Sequence, residues 1–176
     1  MKFILLAFGL LVSTVSAQAH ENEAHEKTEA AEAAKNAPAL AAALKEAKVS
    51  LASGLKAAEK EGTPISGKFE VEDGKLQLSV YTMKGNKYFE VIVDHKSGKV
   101  SKTEPITGGE DLAAAKRQAE AMGKTKKPLR DAVTKAEKAN AGYKAVAITP
   151  EVEEGNAEAD VSLLKGTDSK VVDEKL

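Results

Sequence analysis

The stretch that decides the fold is SLASGLKAAEKEGTPISGKFEVEDGKLQLSVYTMKGNKYFEVIVDHKSGKV, which runs from Ser50 to Val100. Apolar side chains recur near its start at spacings of four and three residues, and this spacing predicts an amphipathic helix. The buried face of that helix consists of Leu51, Leu55 and Ala58. Gly62 ends the helix and Pro64 prevents its continuation. Beyond Pro64, apolar and polar residues alternate with the period of a β-strand, so strands follow the helix.

Three strands with one apolar face are predicted from this alternation. The members of that face are Ile65, Phe69, Val71, Leu76, Leu78, Val80, Phe89, Val91 and Val93. Asp73-Gly74 is a strong signal for a tight hairpin, and Lys84-Gly85-Asn86 marks the next turn. Val100 begins a short further strand. Because a helix with an apolar stripe and a sheet with one apolar face bury those surfaces against each other, we predict a two-layer α+β unit with an antiparallel meander.

A fainter copy of the same pattern follows. Leu51, Leu55 and Ala58 correspond to Leu129, Val133 and Ala136 at one constant offset in the numbering (129 − 51, 133 − 55 and 136 − 58). Beyond the helix the offset is slightly larger but again constant (154 − 73 and 165 − 84), so that Asp73-Gly74 falls on Glu154-Gly155 and Lys84-Gly85 on Lys165-Gly166. We therefore predict an α+β fold of tandem two-layer units, each with one or two helices on a three-stranded antiparallel sheet. Unit 1 spans 37–102, a linker spans 103–109, and a degenerate unit 2 spans 110–176.

The first residues have the features of a secretory signal peptide. Lys2 precedes an apolar run from Phe3 to Val12, and small residues follow at Val15-Ser16-Ala17. The run is shorter than the roughly 20 residues that a membrane-spanning helix needs. We predict a signal peptide over 1–17, cleaved after Ala17 or alternatively after Ala19, and a polar, disordered or helical tail over 18–36. The chain has no cysteine for lipidation or disulfides, so we expect a periplasmic or secreted protein without a membrane anchor.

Charge and residue types argue against several function classes. Lys and Arg number 26 against 27 Asp and Glu, which lacks the basic excess typical of nucleic-acid binding. The histidines His20, His25 and His95 do not have the His-Glu-x-x-His spacing of a metalloprotease. His95 lies beside Asp94 in a predicted turn, where we expect an exposed imidazole without a role. We therefore predict no catalytic residues, no metal site and no cofactor: the chain is not an enzyme.

The stretch Ser50–Val100 resembles the PepSY domain family. The resemblance rests on the predicted helix and on three further segments: the hairpin Val71–Lys75, the strand Tyr88–Asp94 and the closing Lys96-Ser97-Gly98-Lys99-Val100. The resemblance extends loosely over Leu129–Val172, where the closing Gly-Lys motif is missing. It implies a non-enzymatic module that binds or restrains proteases in the bacterial envelope, with no catalytic residues to transfer. Since no protease domain is attached, a direct propeptide role is unsupported.

Four apolar side chains lie on the face of the predicted sheet that points away from the helix. They are Tyr81 and Met83 on the second strand, and Tyr88 and Ile92 on the third. Such residues are near neighbours across an antiparallel pair, and an apolar patch usually marks a contact. We predict that this patch meets a protein: the chain's own second unit, another copy, or a foreign protein such as an envelope protease. The alternative is a sensory or structural protein that binds a small ligand or cation at the junction of the units.

Overall fold

A computed structural model describes residues 37–176 of the chain. The predicted signal peptide over 1–17 and the tail over 18–36 lie outside the described residues. The helices are α1 (residues 37–43), α2 (Leu51–Ala58), α3 (Gly109–Gly123) and α4 (Leu129–Ala139), with a 3-10 turn (Leu44–Glu46) after α1. The strands are β1 (Thr63–Glu72), β2 (Lys75–Lys84), β3 (Lys87–Val93), β4 (Val100–Ile106), β5 (Lys144–Glu153), β6 (Asn156–Lys165) and β7 (Asp168–Lys175).

All seven strands form one antiparallel sheet in the order β4-β3-β2-β1-β5-β6-β7. The α+β class and the antiparallel pairing are therefore confirmed. The prediction of separate three-stranded sheets is not confirmed. β1 pairs with β5, with Gly67 opposite Ile148 and Lys68 opposite Ala147, and this pairing joins all strands into a single sheet. The strand that begins at Val100 continues to Ile106, so the first part of the predicted 103–109 linker belongs to β4.

Helices α2 and α4 pack side by side on one face of the sheet, which we call the inner face. Ser50 caps the first turn of α2 by accepting a hydrogen bond from the Ser53 N–H at 3.2 Å. The predicted stripe of α2 is buried together with Leu78, Val80, Val91 and Val93 of the sheet. Gly54 lets α2 lie close to the sheet, because a β-carbon at that position would come within 2.5 Å of Leu78 Cδ2.

Helix α3 covers part of the opposite, outer face. Its small residues Ala115 and Ala119 are buried against Ile65, and Gln118 accepts a hydrogen bond from the Ser66 hydroxyl at 2.8 Å. Residue Ala37 of α1 is buried in a separate cluster with Val146 and Leu164. The sheet therefore has helices on both faces. Within residues 37–176, no helix is long and apolar enough to cross a membrane.

The placement of Ile65 on the inner face was predicted and is wrong. The β1–β2 register shifts between Pro64 and Ser66, so the extra residue turns Ile65 toward α3 while Phe69 remains in the inner core. Val71 is 36% exposed near the end of β1. Because alternation along a strand assumes an unbroken register, a bulge reverses every assignment on one side of it.

Candidate functional site

Three of the four predicted patch residues lie together. Tyr81, Met83 and Tyr88 are half-buried and pack against the cluster that α3 forms on the outer face. Met83 and Tyr88 stand directly opposite each other on β2 and β3. Ile92 is on the same face but lies between Ser79 and Lys102, outside that cluster. A helix of the same chain therefore contacts the part of the patch around Tyr81, Met83 and Tyr88.

A polar network beside the patch was not foreseen from the sequence. The Ser79 hydroxyl is buried, donates to Glu70 Oε1 at 3.0 Å and accepts from Gln77 Nε2 at 3.0 Å. Lys68 Nζ lies 2.8 Å from the second carboxylate oxygen of Glu70. These side chains lie on the outer face, at the positions of β1 and β2 that alternate with the inner-face residues.

Tyr81 is the member of the patch whose pKa responds to the charges of this network. It stands between Ser66 on β1 and Glu90 on β3. Burial raises the pKa of the Tyr81 phenol to about 12, with Lys68 opposing the shift and the carboxylate of Glu90 adding to it. The phenol is therefore neutral at physiological pH.

The two edges of the sheet differ in what they offer to another strand. Lys84 and Lys87 close the two-residue β2–β3 hairpin, so odd-numbered residues of β3 direct their backbone groups to β2 and even-numbered ones to β4. Pro105, opposite Phe89, therefore occupies a position whose backbone nitrogen points outward from β4. A proline without an N–H, beside the Lys102–Glu104 ion pair at 2.7 Å, protects this edge against strand addition.

The β7 edge lacks such a proline. Lys165 and Asp168 close the β6–β7 hairpin, and the N–H of Leu176 donates to the carbonyl oxygen of Ala157 at 3.1 Å. The backbone N–H and C=O groups of the even-numbered residues of β7 therefore point to β6. The backbone groups of Ser169, Val171 and Asp173 consequently point to the open edge.

The side chains and the end of β7 complete the description of this edge. Val171 is 46% exposed and, with Val71, is one of two exposed large apolar side chains within residues 37–176. Lys127 Nζ donates to Lys175 O at 3.5 Å and so occupies the far end of the edge. Among the described residues, no strand covers the stretch from Ser169 to Asp173.

His95 differs from the exposed imidazole predicted for it. The residue is half-buried, its Nδ1 is buried without a hydrogen-bond partner among the described residues, and its backbone carbonyl accepts the N–H groups of Lys48 and Val49 at 2.9 and 3.1 Å. It therefore fastens the segment before α2 to the end of β3. In the part of the chain that the structure describes, no group of three or more His, Cys, Asp or Glu side chains is placed to hold a metal ion.

No family model, curated protein or solved structure matches the chain. The relation to the PepSY family stays a prediction that depends on the hairpin, the aromatic strand and the closing Gly-Lys motif of the first half.

Proposed function

We propose that this protein is a secreted or periplasmic, non-enzymatic PepSY-like module that binds an extended segment of a partner protein along β7. The observation that carries the proposal is the open β7 edge, where the backbone groups of Ser169, Val171 and Asp173 point to solvent. Main-chain hydrogen bonds to such an edge supply affinity, and alternate side chains supply selectivity. Restraint of an envelope protease is one form of this function, in which a strand of the protease is the added segment.

The proposal includes a tandem origin of the two halves. β1 and β5, β2 and β6, and β3 and β7 begin at one constant offset in the numbering (144 − 63, 156 − 75 and 168 − 87). The register irregularity at Ile65 recurs at Val146, displaced by the same offset (146 − 65). Asp73 and Glu154 both have positive φ, 49° and 48°. These recurrences support two related three-stranded units whose first strands pair with each other.

The tandem relation indicates what kind of segment the open β7 edge would pair with. β3 pairs antiparallel with its outer neighbour β4. The pairing extends from Tyr88 opposite Ile106 to Val93 opposite Val100. β7, the counterpart of β3, has no outer neighbour among residues 37–176. We therefore expect a partner segment of about the length of β4 to pair antiparallel with β7 and to place an apolar side chain beside Val171.

Photocross-linking followed by amide exchange tests the proposal. A photoreactive side chain at position 169 should capture a defined partner segment, whereas one at position 103 on β4 should not. With the purified partner bound, the N–H groups of Val171 and Asp173 should become protected from exchange while that of Thr103 is unchanged. Protection of Thr103, or of the outer face alone, would contradict binding along β7.

A pair of proline variants provides the matched control. Val171→Pro removes an outward N–H without breaking a β6–β7 hydrogen bond, so it should abolish partner binding and change thermal stability little. Thr103→Pro makes the same change at the opposite edge and should leave binding intact. Equal binding by both variants would eliminate the β7 edge as the contact.

A further inference from the structure

A cavity of about 340 Å³ lies between the C-terminal end of α2, the start of β1 and the turn that joins α3 to α4. Its apolar lining residues are Pro64 and Met122, which are half-buried, and Leu55 and Leu129, which are 1% and 2% exposed. These residues come from both halves of the chain, with Leu55 and Pro64 before the α3 helix and Leu129 after it. The volume falls at the lower end of the range of about 300–1,000 Å³ for small-molecule sites, so the cavity suits a ligand with a short apolar body.

The mouth of the cavity is cationic. It is lined by Lys126, Lys127 and Arg130, against one acidic residue, Glu59. Glu59 forms an ion pair with Arg130, so its charge is already compensated. The lining therefore carries a surplus of two positive charges (3 − 1).

The three cationic side chains of the lining differ in the hydrogen bonds and ion pairs that they already form within the protein. Lys127 donates to Lys175 O at 3.5 Å, and the Arg130 guanidinium is held by Glu59 and, at 3.9 Å, by Asp131. Lys126 is exposed and forms no hydrogen bond or ion pair with the described residues. Its ammonium group is thus available to an anion at the mouth.

We infer that this cavity binds a small organic monoanion, a carboxylate with an aliphatic or aromatic body. The apolar body lies against Pro64 and Met122, the half-buried apolar side chains of the lining, where its removal from water stabilises the complex. The carboxylate lies at the mouth, where the ammonium group of Lys126 provides a charge-assisted hydrogen bond. The site is separate from the β7 edge of the proposed function and does not depend on it.

A matched series of ligands separates the two parts of this recognition. Amide resonances of the full chain are followed during titration with octanoate, octylammonium and acetate. Octanoate should shift Gly62, Thr125 and Arg130 in a saturable way, and leave the hairpin at Asp73 unchanged. Acetate, which lacks the body, and octylammonium, which reverses the charge, should each bind at least ten-fold more weakly. Equal binding of octanoate and octylammonium, or no saturable shift at the lining residues, would overturn the inference.

Two lysine variants locate the anion. Lys126→Gln should weaken octanoate binding by about two- to five-fold, the scale of one solvent-exposed charge pair. Lys124→Gln removes an equal charge two residues away, outside the lining, and should leave the affinity unchanged. Thermal unfolding of both variants checks that they are folded. An unchanged affinity in Lys126→Gln, or an equal loss in both variants, would show that the mouth does not hold the carboxylate.

Discussion

Tyr81 illustrates how a single position on the outer face acquires properties that its residue type does not have in water. Its side chain packs against the α3 cluster while its neighbours across the strands are Ser66 and Glu90. The shift of its pKa to about 12 arises first from burial, which disfavours the charged phenolate. Alternation along β2 placed the residue on this face as part of the predicted apolar patch.

The Tyr81 pKa leads to a prediction for alkaline pH. The unfolded phenol titrates near about 10 and the folded one at about 12, so the native state holds more protons between these values. Stability that is present below pH 10 should therefore be lost as the pH rises toward 12, by at most about 3 kcal/mol for two units. Urea unfolding at a series of pH values measures this slope. In Tyr81→Phe the loss of stability between pH 10 and pH 12 should be smaller by that amount. An identical loss in the variant and in the unsubstituted protein would contradict the assignment.

At the scale of the elements, hairpins and helices were readable from sequence because their signals are local. The Asp73-Gly74 turn and the α2 stripe depend on residues within one or two turns of each other, and both are present. The bulge at Ile65 was not readable, since it is defined by the register with β2 rather than by the sequence of β1. The patch around Tyr88 was predicted from alternation, but its contact with α3 depends on where the chain goes after β4. Which edge of the sheet is open could not be predicted for the same reason, because strand order is not encoded by local pattern.

The attachment of β7 to α4 gives a second prediction. Glu174 is only 6% exposed, and its carboxylate accepts a hydrogen bond from Lys135 Nζ at 2.5 Å. Lys135→Met leaves this carboxylate buried without its partner and should lower the free energy of unfolding by about 1.5–3 kcal/mol. Lys138→Met, an exposed change on the same helix, should have little effect.

The double variant Lys135→Met with Glu174→Met tests whether the stability lost in Lys135→Met comes from the unpaired carboxylate of Glu174. Replacing both partners by apolar groups removes the unpaired charge, so much of the lost stability should return. Thermal unfolding of the two single variants and the double variant provides the cycle. A double variant less stable than Lys135→Met would show that Glu174 stabilises the fold through contacts other than Lys135, and would contradict a cost that arises from the unpaired buried carboxylate.

At the scale of the whole molecule, the two halves share one inner core although only a few residues of β1 and β5 pair directly. Leu78 of β2 and Leu163 of β6 are both fully buried in it, and α2 and α4 pack against each other above them. Because each half completes the burial of the other, residues 37–176 should unfold in one cooperative transition rather than two.

Leu78→Ala and Leu163→Ala test this cooperativity from opposite halves. Each should lower the free energy of unfolding by about 2–5 kcal/mol, because the substitution removes buried apolar area and leaves a cavity. Amide resonances of Val91 in β3 and Val161 in β6 report the two halves separately during urea unfolding. In each variant both resonances should lose intensity at the same, lowered midpoint, whereas Val171→Ala on the exposed edge should shift neither by more than the equivalent of about 0.5 kcal/mol. A midpoint lowered only in the half that carries the substitution would mean that the halves are independent, and that the shared core does not couple them.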